Sequence, residues 1–297
     1  MRIVVTGRHG QVAQALHERA AGTNAEIILL ARPEIDLTRP SEIEAALIER
    51  KPDAIVNAAA YTAVDQAESE HALAYAINAE GAGAVARAAT KLGVPIVQLS
   101  TDYVFDGTGE RPYRETDPTN PLSVYGASKL AGERAVAEAA ADYAVLRTSW
   151  VYSPFGKNFV RTMRALARQR DEVRVVCDQV GSPTSALDIA DGVLGVVRNL
   201  LAEPTRSDLR GIFHMTADGT ATWAEFAEAI FAASRAAGGP SADVIPIQTK
   251  EYPTPARRPA NSRLDTSAIA AAHGVRLPNW RQSLQPCIKR LLAQDAN

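Results

Sequence analysis

The sequence predicts an α/β fold, a doubly wound parallel sheet joined to a smaller C-terminal substrate lobe. Three observations carry that prediction. Over residues 1–150, short β-branched runs alternate with Ala-rich amphipathic stretches, the pattern of βαβ units feeding a parallel sheet. A glycine-bearing turn joins the first run to the first amphipathic stretch. After Ser149 the alternation loosens into segments punctuated by Pro and Gly, such as Ser153-Pro154-Phe155-Gly156 and Gly181-Ser182-Pro183-Thr184.

The expected strands are Ile3 to Thr6, Glu26 to Ala31, Ala54 to Asn57, Val94 to Ser100 and Tyr143 to Thr148. Helices are expected at Gln11 to Ala21, Ser41 to Arg50, Ala72 to Leu92 and Ser123 to Ala140, all free of internal Pro and rich in good helix formers. Right-handed crossovers would put the strand C-termini along one edge, where open sheets of this kind bind ligands. Arg174 to Cys177 reads as a further strand of the same sheet, so residues 172–186 are expected to return to the first domain, 1–150, while 151–297 form mainly the second lobe.

Bulk composition narrows the function. Hydrophobic residues are 46% of the chain and charged residues 22%, ordinary for a globular protein and unlike a disordered one. With 32 Lys and Arg against 34 Asp and Glu, the net charge of -2 offers no broad attraction to nucleic acid or an anionic membrane. Cys177 and Cys287 have no metal-ligand spacing and read as free thiols. The start Met1-Arg2-Ile3-Val4-Val5-Thr6-Gly7 is too short and too quickly interrupted for a signal peptide, and no later apolar run would span a bilayer, so a cytoplasmic protein is expected.

Thr6-Gly7-Arg8-His9-Gly10-Gln11-Val12-Ala13 lies where a glycine turn brings backbone N–H groups to a pyrophosphate, with Ala13 at the third small position. That placement makes the expected sheet a Rossmann-type dinucleotide-binding one. Arg32 ends the second strand, where a carboxylate would read a free ribose 2′-OH and a cation suits a 2′-phosphate. NADPH is therefore expected as cofactor, with NADH the lesser alternative. Arg8 could assist, and Asp36-Leu37-Thr38 could approach the adenine or serve as a turn. The third strand runs into Ala58-Ala59-Ala60-Tyr61-Thr62, small side chains that leave room for a flat ligand.

The fourth strand delivers Leu99-Ser100-Thr101-Asp102-Tyr103, two hydroxyls, a carboxylate and a phenol, to the same edge. Downstream, Tyr125-Gly126-Ala127-Ser128-Lys129 sets a phenol and an ammonium at i,i+4 on one helical face. A nearby cation stabilises phenolate, so Lys129 is expected to draw the Tyr125 pKa down from its reference of about 10. Trp150 follows the fifth strand, and Arg258 and Arg263 are cations available to a diphosphate.

In order and spacing these stretches, together with Arg147-Thr148-Ser149-Trp150-Val151-Tyr152 and Arg258-Pro259-Ala260-Asn261-Ser262-Arg263-Leu264, resemble the extended short-chain dehydrogenases and, within them, the dTDP-4-dehydrorhamnose reductase family. The resemblance runs along nearly the whole chain. It implies reduction of the C4 keto group of dTDP-4-dehydro-L-rhamnose by NADPH, in the supply of dTDP-L-rhamnose for cell-wall polysaccharide. Thr101, Tyr125 and Lys129 would be the catalytic set. Cofactor contacts would come from Gly7, Gly10, Gln11, Val12, Arg32, Asp36, Leu37, Ala60, Tyr61, Thr62, Leu99 and Lys129, and substrate contacts from Thr101, Asp102, Tyr103, Trp150 and Arg258. No metal is implied. Some family members form metal-bridged dimers through a carboxylate in the first helix; the matching position here is Ala15, which leaves a monomer or a homodimer. Two rivals remain. An epimerase or dehydratase shares the frame, although dehydratases carry Asp-Glu after the strand-end Thr where this chain has Asp102-Tyr103. The other is a non-catalytic NADP-binding module resembling the regulatory beta subunit of methionine adenosyltransferase, which the intact Tyr125 and Lys129 and the lack of an extra N-terminal segment disfavour.

Overall fold

In the computed structural model, which describes residues 1–295, the first half of the chain builds β1 (Arg2–Thr6), α1 (Gln11–Ala20), β2 (Glu26–Leu30), α2 (Pro40–Glu49) and β3 (Ala54–Asn57). Then come α3 (Val64–Ala67), α4 (His71–Tyr75), α5 (Ala82–Leu92), β4 (Ile96–Thr101), α6 (Val124–Ala139) and β5 (Tyr143–Thr148). The second half adds β6 (Val151–Tyr152), α7 (Phe159–Ala167), β7 (Glu172–Val176), β8 (Val180–Gly181), β9 (Thr184–Ser185), α8 (Ala186–Ala202) and β10 (Gly211–His214). It ends in β11 (Ala221–Thr222), α9 (Trp223–Ala236), β12 (Asp243–Ile247), α10 (Ser267–His273) and α11 (Trp280–Asp295). No helix among the described residues is long and apolar enough to cross a membrane.

Six parallel strands form the central sheet in the order β10-β5-β4-β3-β1-β2. The chain winds outward from β1 to β2, then the other way from β3, so the crevice at the C-terminal ends of β1 and β3 is the switch point where such sheets take ligands. Buried on both faces, the inner strands β1, β3, β4 and β5 read as near-continuous apolar runs rather than alternating ones. Helices α1 and α8 cover one face and α2, α5 and α6 the other.

The structure corrects two expectations. Arg174 to Cys177 does not join the central sheet: β7 pairs in parallel with β12 in a separate two-stranded sheet of the second lobe. The segment that returns to the first domain is α8 with β10, because Ile189, Val193 and Val197 bring a full apolar stripe to the face that α1 leaves uncovered. The expected single helix Ala72 to Leu92 is α4 and α5 joined by a π-helical segment, Ala76–Gly81. That segment holds the chain against its neighbours: a β-carbon on Gly81 would lie 2.7 Å from the Leu37 carbonyl oxygen. The second lobe has its own core of α7, α9 and α11 around Tyr152, Phe226 and Trp280.

Helix α6 flanks the C-terminal end of β4 and is held there from several sides. Ser123 caps it, its hydroxyl accepting from the Gly126 amide at 3.2 Å. Two glycines let it lie unusually close to its neighbours, since β-carbons would stand 2.2 Å from the Tyr103 carbonyl oxygen at Gly126 and 2.0 Å from the Asn78 carbonyl oxygen at Gly132. Next to Gly132, Glu133 receives Arg147 of β5 through Nε at 2.9 Å and Nη2 at 2.6 Å, and Ser100 of β4 donates to it at 2.5 Å. Both charged side chains are 2% exposed, so removing either partner would strand a buried charge. Gly132→Ala should accordingly lower stability by about 2 to 3 kcal/mol through overpacking against backbone that cannot yield. Urea unfolding with circular dichroism checks this, and an unchanged midpoint would mean that α6 can shift outward at little cost.

Candidate active site

At the end of β1, Gly7 takes φ +93, a left-handed conformation that glycine adopts freely, and its amide donates to the Leu30 carbonyl at 2.7 Å. Gly10 is the N-cap of α1, yet no side chain caps that helix and its first turn holds no acidic residue. The leading N–H groups of Gln11 and Val12 thus remain available to an anion, and the helix dipole favours one. A β-carbon on Gly10 would meet nothing within 4 Å, so there is open space above this terminus. Across the crevice Thr6 donates to Asn57 and its hydroxyl accepts the Ala59 amide at 3.2 Å, which sets the small Ala58–Ala60 stretch beside Gly7. These features fit a dinucleotide pyrophosphate.

Arg32 is exposed, two residues beyond the end of β2. Arg8 is engaged elsewhere, donating to Glu34 at 2.6 Å and to the Leu29 carbonyl at 3.3 Å. Asp36 closes an Asx turn, accepting from the Thr38 amide at 3.0 Å and hydroxyl at 2.8 Å, and those bonds hold its carboxyl below the usual range. Leu37 is buried under the π-helical segment. Tyr61 is held by Asn78, whose side chain accepts the Tyr61 amide at 2.8 Å and donates to its carbonyl at 3.1 Å, while Thr62 is exposed.

The strand-end Thr101 and the helical Tyr125 lie side by side. Thr101 donates to Asp102 at 3.0 Å and accepts the Tyr103 amide at 3.2 Å. The Tyr103 and Tyr125 rings meet edge to face at 5.5 Å between centroids. Burial pushes the Tyr125 phenol well above its ordinary value, with the Thr101 hydroxyl beside it pulling the other way. This differs from the expectation that Lys129 draws the phenol down. The Lys129 ammonium is instead bound to the Leu99 carbonyl at 2.7 Å, and burial lowers it to about 8 against the opposing pull of Glu133. Asp102 is 3% exposed; burial raises its carboxyl to about 6 against the Ser262 and Thr101 hydroxyls, and its Oδ2 has no partner. Burial and the Asp102 charge lift the Tyr103 phenol to about 12, Arg258 opposing.

Trp150 has φ +47, rare for a residue with a side chain, and its indole stacks on Trp223 at 3.6 Å between centroids. Arg258 lies beside Tyr103 and donates to Asp65 at 2.8 Å. Arg263 points elsewhere, donating to the Glu110 carbonyl at 2.6 Å and to Asn261 at 2.8 Å, so of the two cations only Arg258 reaches the cleft. Ala15 is fully buried against α8, where no residue could present an exposed carboxylate. Asn78, Glu133, Ser262 and Trp223 are site residues that the sequence does not single out. Glu133 stands four residues after Lys129, and Ser262 lies inside the Arg258 to Leu264 stretch, so both carried a readable signal; Asn78 and Trp223 act through folds of the chain that no spacing reveals.

The family described as RmlD substrate binding domain matches residues 1–293. The chain is 49% identical over 294 residues to a dTDP-4-dehydrorhamnose reductase of Sinorhizobium fredii, covering 99% of each chain. Among solved structures, a dTDP-4-dehydrorhamnose reductase from Clostridium acetobutylicum superposes with a TM-score of 0.90 at 39% identity, covering 98% of this chain and 100% of the other. One from Bacillus anthracis, in complex with NADP, gives 0.89 at 36% identity, covering 97% and 99%. With the family model matched over residues 1–293 and relatives at up to 49% identity covering 99% of its length, this chain belongs to the dTDP-4-dehydrorhamnose reductase family.

Proposed function

We propose that this protein reduces the C4 keto group of dTDP-4-dehydro-L-rhamnose with NADPH, giving dTDP-L-rhamnose. The observation that carries the reading is the convergence of Thr101, Tyr125 and Lys129 at the crevice beside an uncapped helix N-terminus, in a chain whose relatives bear that activity in their names. Residues 1–150, with α8 and β10, hold the cofactor, and the remainder forms most of the substrate lobe. Gly7, Gly10, Gln11 and Val12 would receive the pyrophosphate, Arg32 the 2′-phosphate, and Asp36, Leu37, Ala60, Tyr61, Thr62 and Leu99 would line the rest. When bound, NADPH supplies the hydride.

Tyr125 is the proton donor. Its raised pKa keeps the phenol protonated at neutral pH, and the proton passes to the carbonyl oxygen as negative charge develops there. Thr101 orients that oxygen from the strand end. Lys129, depressed towards 8, remains largely cationic at neutral pH and offers its free N–H donors to the nicotinamide ribose. Asp102 and Tyr103 contact the sugar, Trp150 packs against it, and Arg258 meets the diphosphate. The reading carries with it a cytoplasmic location, where NADPH and nucleotide sugars are made, and action as a monomer or homodimer.

Loss of NADPH absorbance should be rapid with dTDP-4-dehydrorhamnose and slow with UDP- and GDP-linked 4-keto sugars. Tyr125→Phe should cut turnover by about 100-fold or more, the usual share of a positioned acid, while NADP+ binding persists. Near-normal turnover would remove Tyr125 from the reaction. Arg32→Asp should raise the KM for NADPH far more than that for NADH, because it exchanges a cation for a carboxylate at the 2′-phosphate; equal losses would put Arg32 outside the site. Asp102 yields a pH effect. Its carboxyl binds a proton more tightly folded than unfolded, so the stability it contributes is present below its unfolded pKa and is lost as pH rises through about 6. Asp102→Asn should therefore gain on the wild type by on the order of 2 to 3 kcal/mol between about pH 4 and about pH 7. Denaturant titrations at both pH values measure the difference, and a constant gap would place Asp102 in solvent.

A further inference from the structure

The first residue of α1 carries a second connection. Its backbone opens the helix at the crevice, but the Gln11 side chain turns towards the second lobe. Its Nε2 donates to the Val151 carbonyl at 3.3 Å, and its Oε1 accepts from the Ser153 hydroxyl at 2.7 Å and from the Asn158 amide nitrogen at 3.0 Å. Asn158 and Ser153 in turn close the 153–158 loop on itself. Asn158 donates to the Ser153 carbonyl at 2.8 Å and caps α7, and the Ser153 hydroxyl accepts the Phe155 amide at 3.1 Å. The loop's Gly156 comes down over the glycine turn, 3.6 Å from the Gln11 side chain by way of its would-be β-carbon. One amide thus satisfies three groups of a segment more than a hundred residues away in sequence.

The segment it grips begins one residue after Trp150. That tryptophan holds its left-handed backbone between fixed points on both sides: its carbonyl accepts the Thr184 amide at 3.1 Å, Ser149 donates to the Ser182 carbonyl at 3.1 Å, and the indole is pressed between Trp223 and Gly181. One peptide further on, the bond to the Val151 carbonyl comes from Gln11 of the cofactor helix. A left-handed conformation at a residue with a β-carbon persists only where its surroundings over-determine it. The Gln11 side chain is thus a direct polar link from the α1 terminus to the segment that follows the indole.

We propose that Gln11 is a positioning residue that ties the setting of Trp150 to the N-terminus of α1, so that occupancy of the pyrophosphate site and binding of the nucleotide sugar reinforce each other. The proposal rests on the cofactor and substrate sites assigned under the proposed function. It concerns the Gln11 side chain, not the backbone N–H that would meet the pyrophosphate. Cooperativity here is a coupling free energy between two sites, and it is reciprocal.

Calorimetric titration of dTDP-L-rhamnose, which carries the hexose that meets Trp150, into the protein with and without saturating NADPH tests it without turnover, because an alcohol and a reduced cofactor do not react. The wild type should bind dTDP-L-rhamnose about fivefold or more tightly when NADPH is present, the lower end of ordinary coupling. In Gln11→Ala the ratio should fall close to one while both ligands still bind. Ser153→Ala, which removes one donor from the other side of the latch, should lower the ratio partway and serves if the first variant folds poorly. A second readout is the circular dichroism of the stacked Trp150–Trp223 pair, which NADP+ should alter in the wild type and leave unaltered in Gln11→Ala. Full coupling in Gln11→Ala, or none in the wild type, overturns the proposal. A wild type that binds neither dTDP-L-rhamnose nor NADPH overturns the functional reading beneath it, a different result from either.

Discussion

Helix α6 lies closer to the sheet edge than a β-carbon would permit, and the site depends on that approach. At Gly126 it rests against the Tyr103 carbonyl and at Gly132 against the Asn78 carbonyl. The three residues with catalytic assignments sit on the two surfaces so joined, Thr101 on the strand end and Tyr125 and Lys129 on the helix. Withdrawal of the helix by the width of a methyl group would lengthen hydrogen-bond distances that must hold to a few tenths of an ångström. The buried Glu133–Arg147 pair, with Ser100 donating into it, fixes the helix along its axis and in rotation. Such a pair adds little net stability against its desolvation cost, and its contribution here is positional.

The same burial sets the chemistry. A phenol in a crowded pocket keeps its proton, and an ammonium there loses some of its hold on one. Tyr125 is thereby an acid that stays loaded until charge develops on an acceptor beside it. Asp102, pushed up to about 6 with one oxygen unpartnered, brings a further adjustable group to the same edge. The residues opposing these shifts, Thr101, Ser262, Glu133 and Arg258, come from β4, from the 258–264 segment and from α6. Electrostatics of the site are thus a property of the assembled lobes rather than of any one element.

The two lobes meet through polar side chains at defined points. Arg258 reaches Asp65, Arg290 of α11 reaches Glu18 of α1, and Gln11 reaches the 151–158 segment. An exposed ion pair such as Arg290–Glu18 contributes little energy, whereas a side-chain amide satisfying three partners at once constrains geometry. That contrast is why Gln11, rather than the charged pairs, is the connection through which one lobe can sense the other.

The sequence by itself determined the parallel sheet, the glycine turn and the placing of Tyr125 and Lys129 one turn apart on a single helix, because each depends on features local in the chain: strand period, turn chemistry and helical i,i+4 spacing. It also placed Thr101, Asp102 and Trp150 at strand ends, where ligands gather. Tertiary structure alone decided the rest. Arg174 to Cys177 has the composition of a strand in either sheet, and only the apolar stripe of α8 competing for the uncovered face sends it to the second lobe. Arg258 and Arg263 are alike in sequence, and the loop at 109–111 claims one while Asp65 holds the other at the cleft. The pKa of Tyr125 moved opposite to the local expectation because desolvation sums over every neighbour, near or distant in the chain, whereas spacing reports only one cation four residues away.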